Sequence, residues 1–193
     1  MPKISQARKL HGRLCIFLML FTVFSVSNLG YAFDTFKANN QSSSVSFSGE
    51  HAGMKFEGEF TSWQATLNLP PSADPSADPS VTASFDMQSA KTGDSVYDST
   101  LPEADWFDTE NHPKGTFTSE SVIVVGDAFE VTGSLTIKGI SNPVSFTLID
   151  DGAWLSAAFS IDRIAHNIGV ESDPDAEWVS RQIAMKLRIK KSA

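Results

Sequence analysis

The stretch Leu101–Phe146 reads LPEADWFDTENHPKGTFTSESVIVVGDAFEVTGSLTIKGISNPVSF. It opens with a polar, acidic loop carrying Trp106 and Phe107. From Thr116 onward apolar and polar residues alternate, Gly126-Asp127 marks a turn, and alternation resumes through Phe129, Val131, Gly133, Leu135 and Ile137. A period of two is the signature of a strand with one wet face. Gly139 breaks the run, Pro143 ends the turn that follows, and a new alternation starts at Val144. The stretch therefore reads as two strand-turn-strand units behind an aromatic, acidic loop. It holds no catalytic motif, which points toward binding.

The same patterning extends outward in both directions. Toward the N-terminus, Val45 and Phe47 share a face; so do Met54, Phe56, Gly58 and Phe60, opposite Lys55, Glu57 and Glu59. Trp63, Ala65, Leu67 and Leu69 continue after a one-residue shift, and Val81, Ala83, Phe85 and Met87 form the next run. Toward the C-terminus the runs are Leu155 to Ile161 and Ile183 to Ile189, with Lys186, Arg188 and Lys190 on the wet side of the last. Phe33–Gln41 reads as a lead-in. Asn68–Ser80, NLPPSADPSADPS, carries four prolines and a doubled Ser-Ala-Asp-Pro unit, a solvated loop that no central strand accommodates. Asp98-Ser99 is suited to cap a short helical turn with Pro102 and Glu103 just inside. The total is about eight or nine amphipathic strands. An antiparallel sheet with one apolar face must close on itself or pair with another sheet. A barrel or a sandwich fits, and an eight-stranded barrel is just wide enough for side chains or one slender ligand.

The first 32 residues read as a secretory signal peptide. Lys3, Arg8, Lys9 and Arg13 precede the apolar run Leu14–Val26, and Gly30-Tyr31-Ala32 offers a small-residue cleavage site. An uncleaved N-terminal anchor is the alternative. Residues 33–193 form one domain. They keep all 23 acidic residues and 11 of the 15 basic ones, a net charge of −12. That balance speaks against nucleic acid, whose phosphates require a basic surface, and against anionic lipid headgroups. Cys15 leaves with the leader, so the remaining domain has no disulfide, thiol nucleophile or thiolate ligand.

Catalytic constellations are weak. His51, His112 and His166 are far apart and form no metal-binding spacing. Ser95 lacks the second glycine of a nucleophile elbow. Glu103, Asp105, Asp108 and Glu110 lack calcium-loop spacing and read as a solvated acidic loop. Asn40-Gln41-Ser42 matches a glycosylation sequon, relevant only in a eukaryotic secretory setting. Phenylalanine is plentiful, with 11 from residue 33 onward, most on the apolar side of a strand. Periodicity alone does not separate an ordinary packed core from an aromatic-lined cavity for a long apolar ligand.

Several segments resemble the YceI-like, polyisoprenoid-binding family. Ser44-Val45-Ser46-Phe47, His51-Ala52-Gly53 and Phe56–Phe60 resemble its opening hairpin. Thr92-Gly93-Asp94 through Trp106-Phe107-Asp108 resembles its helical loop, and His112–Ser119 its P-x-x-x-F-x-S segment. Val131-Thr132-Gly133-Ser134-Leu135-Thr136-Ile137-Lys138-Gly139-Ile140 is similar to its G-x-L-T-I-x-G-V strand. Phe159–Arg163, Ile168-Gly169 and Trp178-Val179 resemble its C-terminal part. Two departures are a long Pro70–Pro79 loop and Ala165-His166-Asn167 where an aromatic-bearing segment is usual, which bears on contacts near Arg163.

The resemblance implies an all-β, lipocalin-like antiparallel barrel of about eight strands with a short helical segment. It implies a periplasmic carrier of an isoprenoid lipid, such as a prenyl phosphate or quinone, often a homodimer, with no catalytic residue, metal or cofactor and no stable membrane insertion after signal cleavage. Phe56, Phe60, Phe85, Phe117, Leu135, Phe146 and Phe159 are the expected apolar wall. Trp106, His112 and Arg163 are candidates for the rim or the head group. The rivals are a secreted, metal-assisted enzyme and a solid-cored stress or interaction protein without lipid. An open or a filled interior separates the first reading from the last.

Overall fold

A computed structural model describes residues 34–70 and 78–191. The expected leader, and the centre of the Ser-Ala-Asp-Pro loop, lie outside the described residues. Among those residues the strands are β1 (Asp34–Asn39), β2 (Ser44–His51), β3 (Met54–Phe60), β4 (Trp63–Leu69), β5 (Ser80–Asp86) and β6 (Ala90–Lys91), followed by helix α1 (Ser95–Thr100). Then come β7 (Lys114–Val125), β8 (Ala128–Ile137), β9 (Ile140–Asp150), β10 (Trp154–Asp162) and β11 (Gln182–Lys190). All pairings are antiparallel.

The eleven segments are ordered β1-β4-β5-β7-β8-β9-β10-β11-β2-β3-β6. Three of their joints are bends within longer strands. Asn39 lies opposite Gln64 and, further along, Ser46 lies opposite Glu59, so β1–β2 and β4–β3 run past each other as one bent pair. Trp63 faces Phe85 and Phe60 faces Ala90, which extends β5 into β6 in the same way. Counting each bent pair once leaves eight strands, and because β11 pairs with β2 the ring closes. Backbone bonds fasten the bends: Asp86 N–H donates to Ser62 O at 3.0 Å and Thr61 N–H to Ser89 O at 3.0 Å. The thinnest seam is β9–β10, with only Asp150–Leu155 and Ile149–Ser156 in register. There Phe146 stacks on Phe159, centroids 4.8 Å apart.

Strand direction sorts the connections. Residues 52–53, 92–113, 138–139 and 163–181 emerge at one end, which therefore carries both long loops and α1; the end of β4 at Leu69, the start of β5 at Ser80, and residues 126–127 and 151–153 lie at the far end. Toward the far end Leu69, Val131, Leu148 and Leu155 are almost fully buried. Lys138 and Gly139, both at positive φ, make the two-residue turn between β8 and β9.

The all-β barrel with one short helix is as expected; several details differ. The lead-in is a strand, β1, whose inward face is carried by only Phe36 and Ala38, too short a run to stand out. Trp63–Leu69 prolongs the run before it as one bent strand, and past the Thr61-Ser62 bend its neighbours β1 and β5 are the continuations of β2 and β6. The helix begins at Ser95 and is capped by Asp94, whose carboxylate accepts from Val96 N at 2.8 Å and Tyr97 N at 3.3 Å. Asp98 instead bonds backward, to Thr92 N and its hydroxyl. Pro143 lies inside β9, opposite Ser134. Its missing N–H is tolerated because β9 has no ladder toward β10 at that height.

Candidate functional site: the barrel interior and its lid

Alternation sends every second side chain inward, and the inward set encloses a cavity of about 140 Å³. The structure places all seven expected wall residues on its lining: Phe56, Phe60, Phe85, Phe117, Leu135, Phe146 and Phe159. The rings gather in two groups. Phe60 touches Phe47 and Phe85 at 5.6 and 5.4 Å, and Phe146 touches Phe117 and Phe159 at 5.4 and 4.8 Å. Gly133 makes room for one of them, since a Cβ there would come within 2.8 Å of the Phe117 ring and 2.4 Å of Thr118 O. Trp63, Ile168, Val179 and Ile183 also line the cavity. Trp63 and Ile183 already stood on apolar strand faces, whereas Ile168 and Val179 sit in the loop after β10, where no periodicity marks them.

Trp106 and Phe107 reach the cavity from the lid loop, together with Leu101. Their position comes from backbone bonds inside that loop, Phe107 N to Leu101 O and Trp106 N to Glu103 O, both 3.0 Å. Asp105 then ties this loop to the one after β10, accepting from Glu171 N at 2.9 Å, Ser172 N at 3.0 Å and the Ser172 hydroxyl at 2.6 Å. Burial would raise the Asp105 carboxyl, but these donors outweigh it and hold it below the usual carboxylate range. Lys138 Nζ adds bonds to Asp105 O and Asn167 O at 3.0 and 2.8 Å. The acidic loop is thus a fastened plug.

Arg163 also lines the cavity, but its guanidinium is occupied. It is 1% exposed. Nε donates to Ser180 O, Nη1 to Ile168 O and Gly169 O, and Nη2 to Asp173 and Val179 O. A guanidinium has five N–H groups, and this set of acceptors uses them. Trp106 covers the group at 5.9 Å. Burial pulls the guanidinium below its ordinary value, with Asp173 opposing. Asp173 is itself buried, which would raise its carboxyl; the N–H groups of Val179, Trp178 and Glu177, with Arg163, hold it low instead. Arg163 is therefore the fastening of the β10–β11 loop, not a free phosphate ligand.

His112 stands outside the cavity lining. Its Nε2 lies 3.8 Å from Asp108 and its ring covers Gly139. It sits beside the β8–β9 turn at the lid-bearing end of the barrel, where a Cβ on Gly139 would come within 3.0 Å of its ring. The other histidines are apart from it. His51 Nδ1 meets the Tyr97 hydroxyl at 2.8 Å, and buried His166 meets Ile140 O at 3.1 Å. Among the described residues no three His, Cys, Asp or Glu side chains gather around a common point. Ser95 is an exposed residue in the first turn of α1.

Similarity to known proteins covers the same residues. Over 131 residues the chain is 30% identical to Protein YceI of Escherichia coli O157:H7, a match that takes in 66% of this chain and 64% of that relative's length. It is 31% identical over 182 residues to the UPF0312 protein ECA1782 of Pectobacterium atrosepticum, covering 87% of this chain and 91% of that one. Among solved structures, Burkholderia cenocepacia BcnA aligns with a TM-score of 0.70 at 28% identity, over 78% of this chain and 96% of BcnA. A polyisoprenoid binding domain from Saccharophagus degradans, implicated in plant cell wall breakdown, shares the fold with a TM-score of 0.57 at 12% identity, over 81% of this chain and 98% of that domain. The model of the YceI-like domain matches residues 36–191, from within β1 to just past β11. The chain belongs to the YceI-like domain family.

Proposed function

We propose that this chain is a binding protein, not an enzyme, that encloses the hydrocarbon of a polyisoprenoid lipid inside its barrel and carries it in the periplasm after export. The observation that carries the reading is the cavity wall, which is apolar on every strand and whose one charged member, Arg163, is already fully bonded. Family membership and the polyisoprenoid-binding name of the Saccharophagus neighbour support the ligand class. The leader-like first 32 residues support export. Burying apolar surface contributes roughly 25 cal/mol per Å², so a prenyl chain needs no ion pair to bind.

The cavity of about 140 Å³ is smaller than the roughly 300–1,000 Å³ typical of small-molecule sites. Uptake of a long chain therefore requires the aromatic groups around Phe60 and Phe146 to part. Solvent extraction of the purified native chain followed by mass spectrometry tests the reading. A prenyl lipid recovered in stoichiometric amount is the expected result. Protein that is repeatedly empty and takes up no prenyl lipid on incubation refutes it. A homodimer belongs to the same proposal, and sedimentation of the loaded protein at twice the chain mass checks it.

A further inference from the structure

The barrel wall is incomplete beside β3. On one side every residue from Met54 to Gly58 pairs with β2, but on the other β6 reaches only Glu59 and Phe60. Tyr97 of α1 bridges the seam that this leaves. Its ring meets Phe56 edge-on, centroids 6.1 Å apart, and its hydroxyl bonds to His51 Nδ1 at 2.8 Å. Among the described residues this is the one hydrogen bond from α1 to a strand, and α1 buries none of its own side chains. The seam leads to the cavity, because Phe56 on one margin and Leu101, the residue that ends α1, on the other both line it. The other gap in the wall, between β9 and β10, is fastened: Asn142 Nδ2 donates to Ala165 O at 2.9 Å, Lys138 holds Asn167 O, and Phe146 stacks on Phe159. Exposed apolar side chains stand on the segments around the β3 seam. Met54 at the start of β3 is 64% exposed and Val96, beside Tyr97, 66%; Trp178, whose carbonyl accepts from Ala52 N in the β2–β3 turn, is 61% exposed. Grouped exposed apolar side chains mark places where apolar ligands are received.

We propose that the seam between β3 and α1 is the entry site for the isoprenoid chain, with Tyr97 as its gate and His51 as the latch. This rests on the lipid-binding reading and deepens it by giving the ligand a route. When the His51–Tyr97 bond breaks, α1 moves off β3 and the hydrocarbon passes between Phe56 and Leu101 into the cavity. The later part of the same loop stays in place, because Asp105 is tied to Glu171 and Ser172. Segments with few buried contacts open at the lowest cost, and α1 is such a segment. The latch is closed in the empty and in the loaded protein alike, so its strength sets the height of the barrier between them and not their difference.

The experiment measures uptake and release of farnesol by stopped-flow tryptophan fluorescence, since Trp106 lines the cavity. Tyr97→Phe keeps a ring against Phe56 and removes the bond to His51. It should accelerate uptake and release together by roughly fivefold, the worth of one net hydrogen bond, with Kd nearly unchanged. His51→Leu should do the same from the other side of the latch. Asn142→Ala, which loosens the β9–β10 gap, should leave both rates as they are. Hydrogen exchange of the empty wild type needs no variant. The amides of Asp98 and Leu101 in α1 should exchange faster than those of Gly169 and Asp173, although all four are hydrogen-bonded. Unchanged rates in both latch variants, a weaker Kd with an unchanged uptake rate, acceleration in Asn142→Ala alone, or slower exchange in α1 overturns the gate while leaving lipid binding intact. Failure of the wild type to bind farnesol removes the lipid-binding reading and this inference together.

Discussion

Arg163 and Asp173 show how strongly one buried pair directs this structure. Both are almost fully buried, and between them they bond to Ile168, Gly169, Glu177, Trp178, Val179 and Ser180. Asp173→Ala leaves a buried guanidinium without its counter-charge and frees three backbone N–H groups. The expected loss is about 3–5 kcal/mol in denaturant unfolding, together with disorder of the loop that supplies Ile168 and Val179 to the cavity. His166 acts on pH dependence. Burial lowers its imidazole below the ordinary value, while Ile140 O and Asp162 oppose. The unfolded chain, with a histidine value of about 6.5, then binds a proton that the folded chain refuses. Stability from this residue is full above about pH 6.5 and is lost as pH falls through the window below it. His166→Gln should flatten the slope of unfolding free energy between pH 6.5 and 5; an unchanged slope assigns the acid sensitivity elsewhere. Asp105, Asp162 and Asp173, all held low, add their loss only below the carboxylate range, near pH 4.

Most strands were legible because each has one apolar face; β1 and the bends were not. Thr61-Ser62 looks like a one-residue slip in the sequence, yet it turns the strand so that Trp63 faces Phe85 where Phe60 faces Ala90. The β2–β3 turn offers a test of local chemistry. Ala52 and Gly53 both have positive φ, 51° and 79°, in the two-residue connection between His51 and Met54. Alanine is strained there, since its Cβ crowds the backbone in the left-handed region. Asn-Gly is the preferred pair for this turn. Ala52→Asn should therefore raise stability by about 0.5–1 kcal/mol, seen as a higher denaturant midpoint with an unchanged slope. A lower midpoint would mean that the Ala52 N–H bond to Trp178 O, 2.8 Å long, depends on the small side chain.

The cavity wall could be read from residues two apart and Trp106 was expected at the rim, whereas the contacts that fasten the lid could not be read. Asp105 meets Ser172 across 67 positions and Lys138 reaches Asn167 across 29, contacts set by barrel closure and invisible to periodicity. The same limit explains Arg163 and His112: residue type suggested a head-group site, but only the fold shows that one is consumed by carbonyls and the other sits on the Gly139 turn. Whether the interior is open or filled now has an intermediate answer, a space of about 140 Å³ bounded by touching aromatic rings. Phe117→Trp probes it directly. Phe117 is 6% exposed, backed by Gly133 and edged by Phe146. In a fully packed interior the larger ring would cost about 1–3 kcal/mol from overpacking. Here the cavity can accept the added ring, so the variant should stay within about 1 kcal/mol of the wild type in unfolding free energy. It should nevertheless lose prenyl-lipid uptake, because the ring occupies the space the ligand needs. Loss of stability with uptake retained would show that the ligand lies elsewhere and that this wall is structural core.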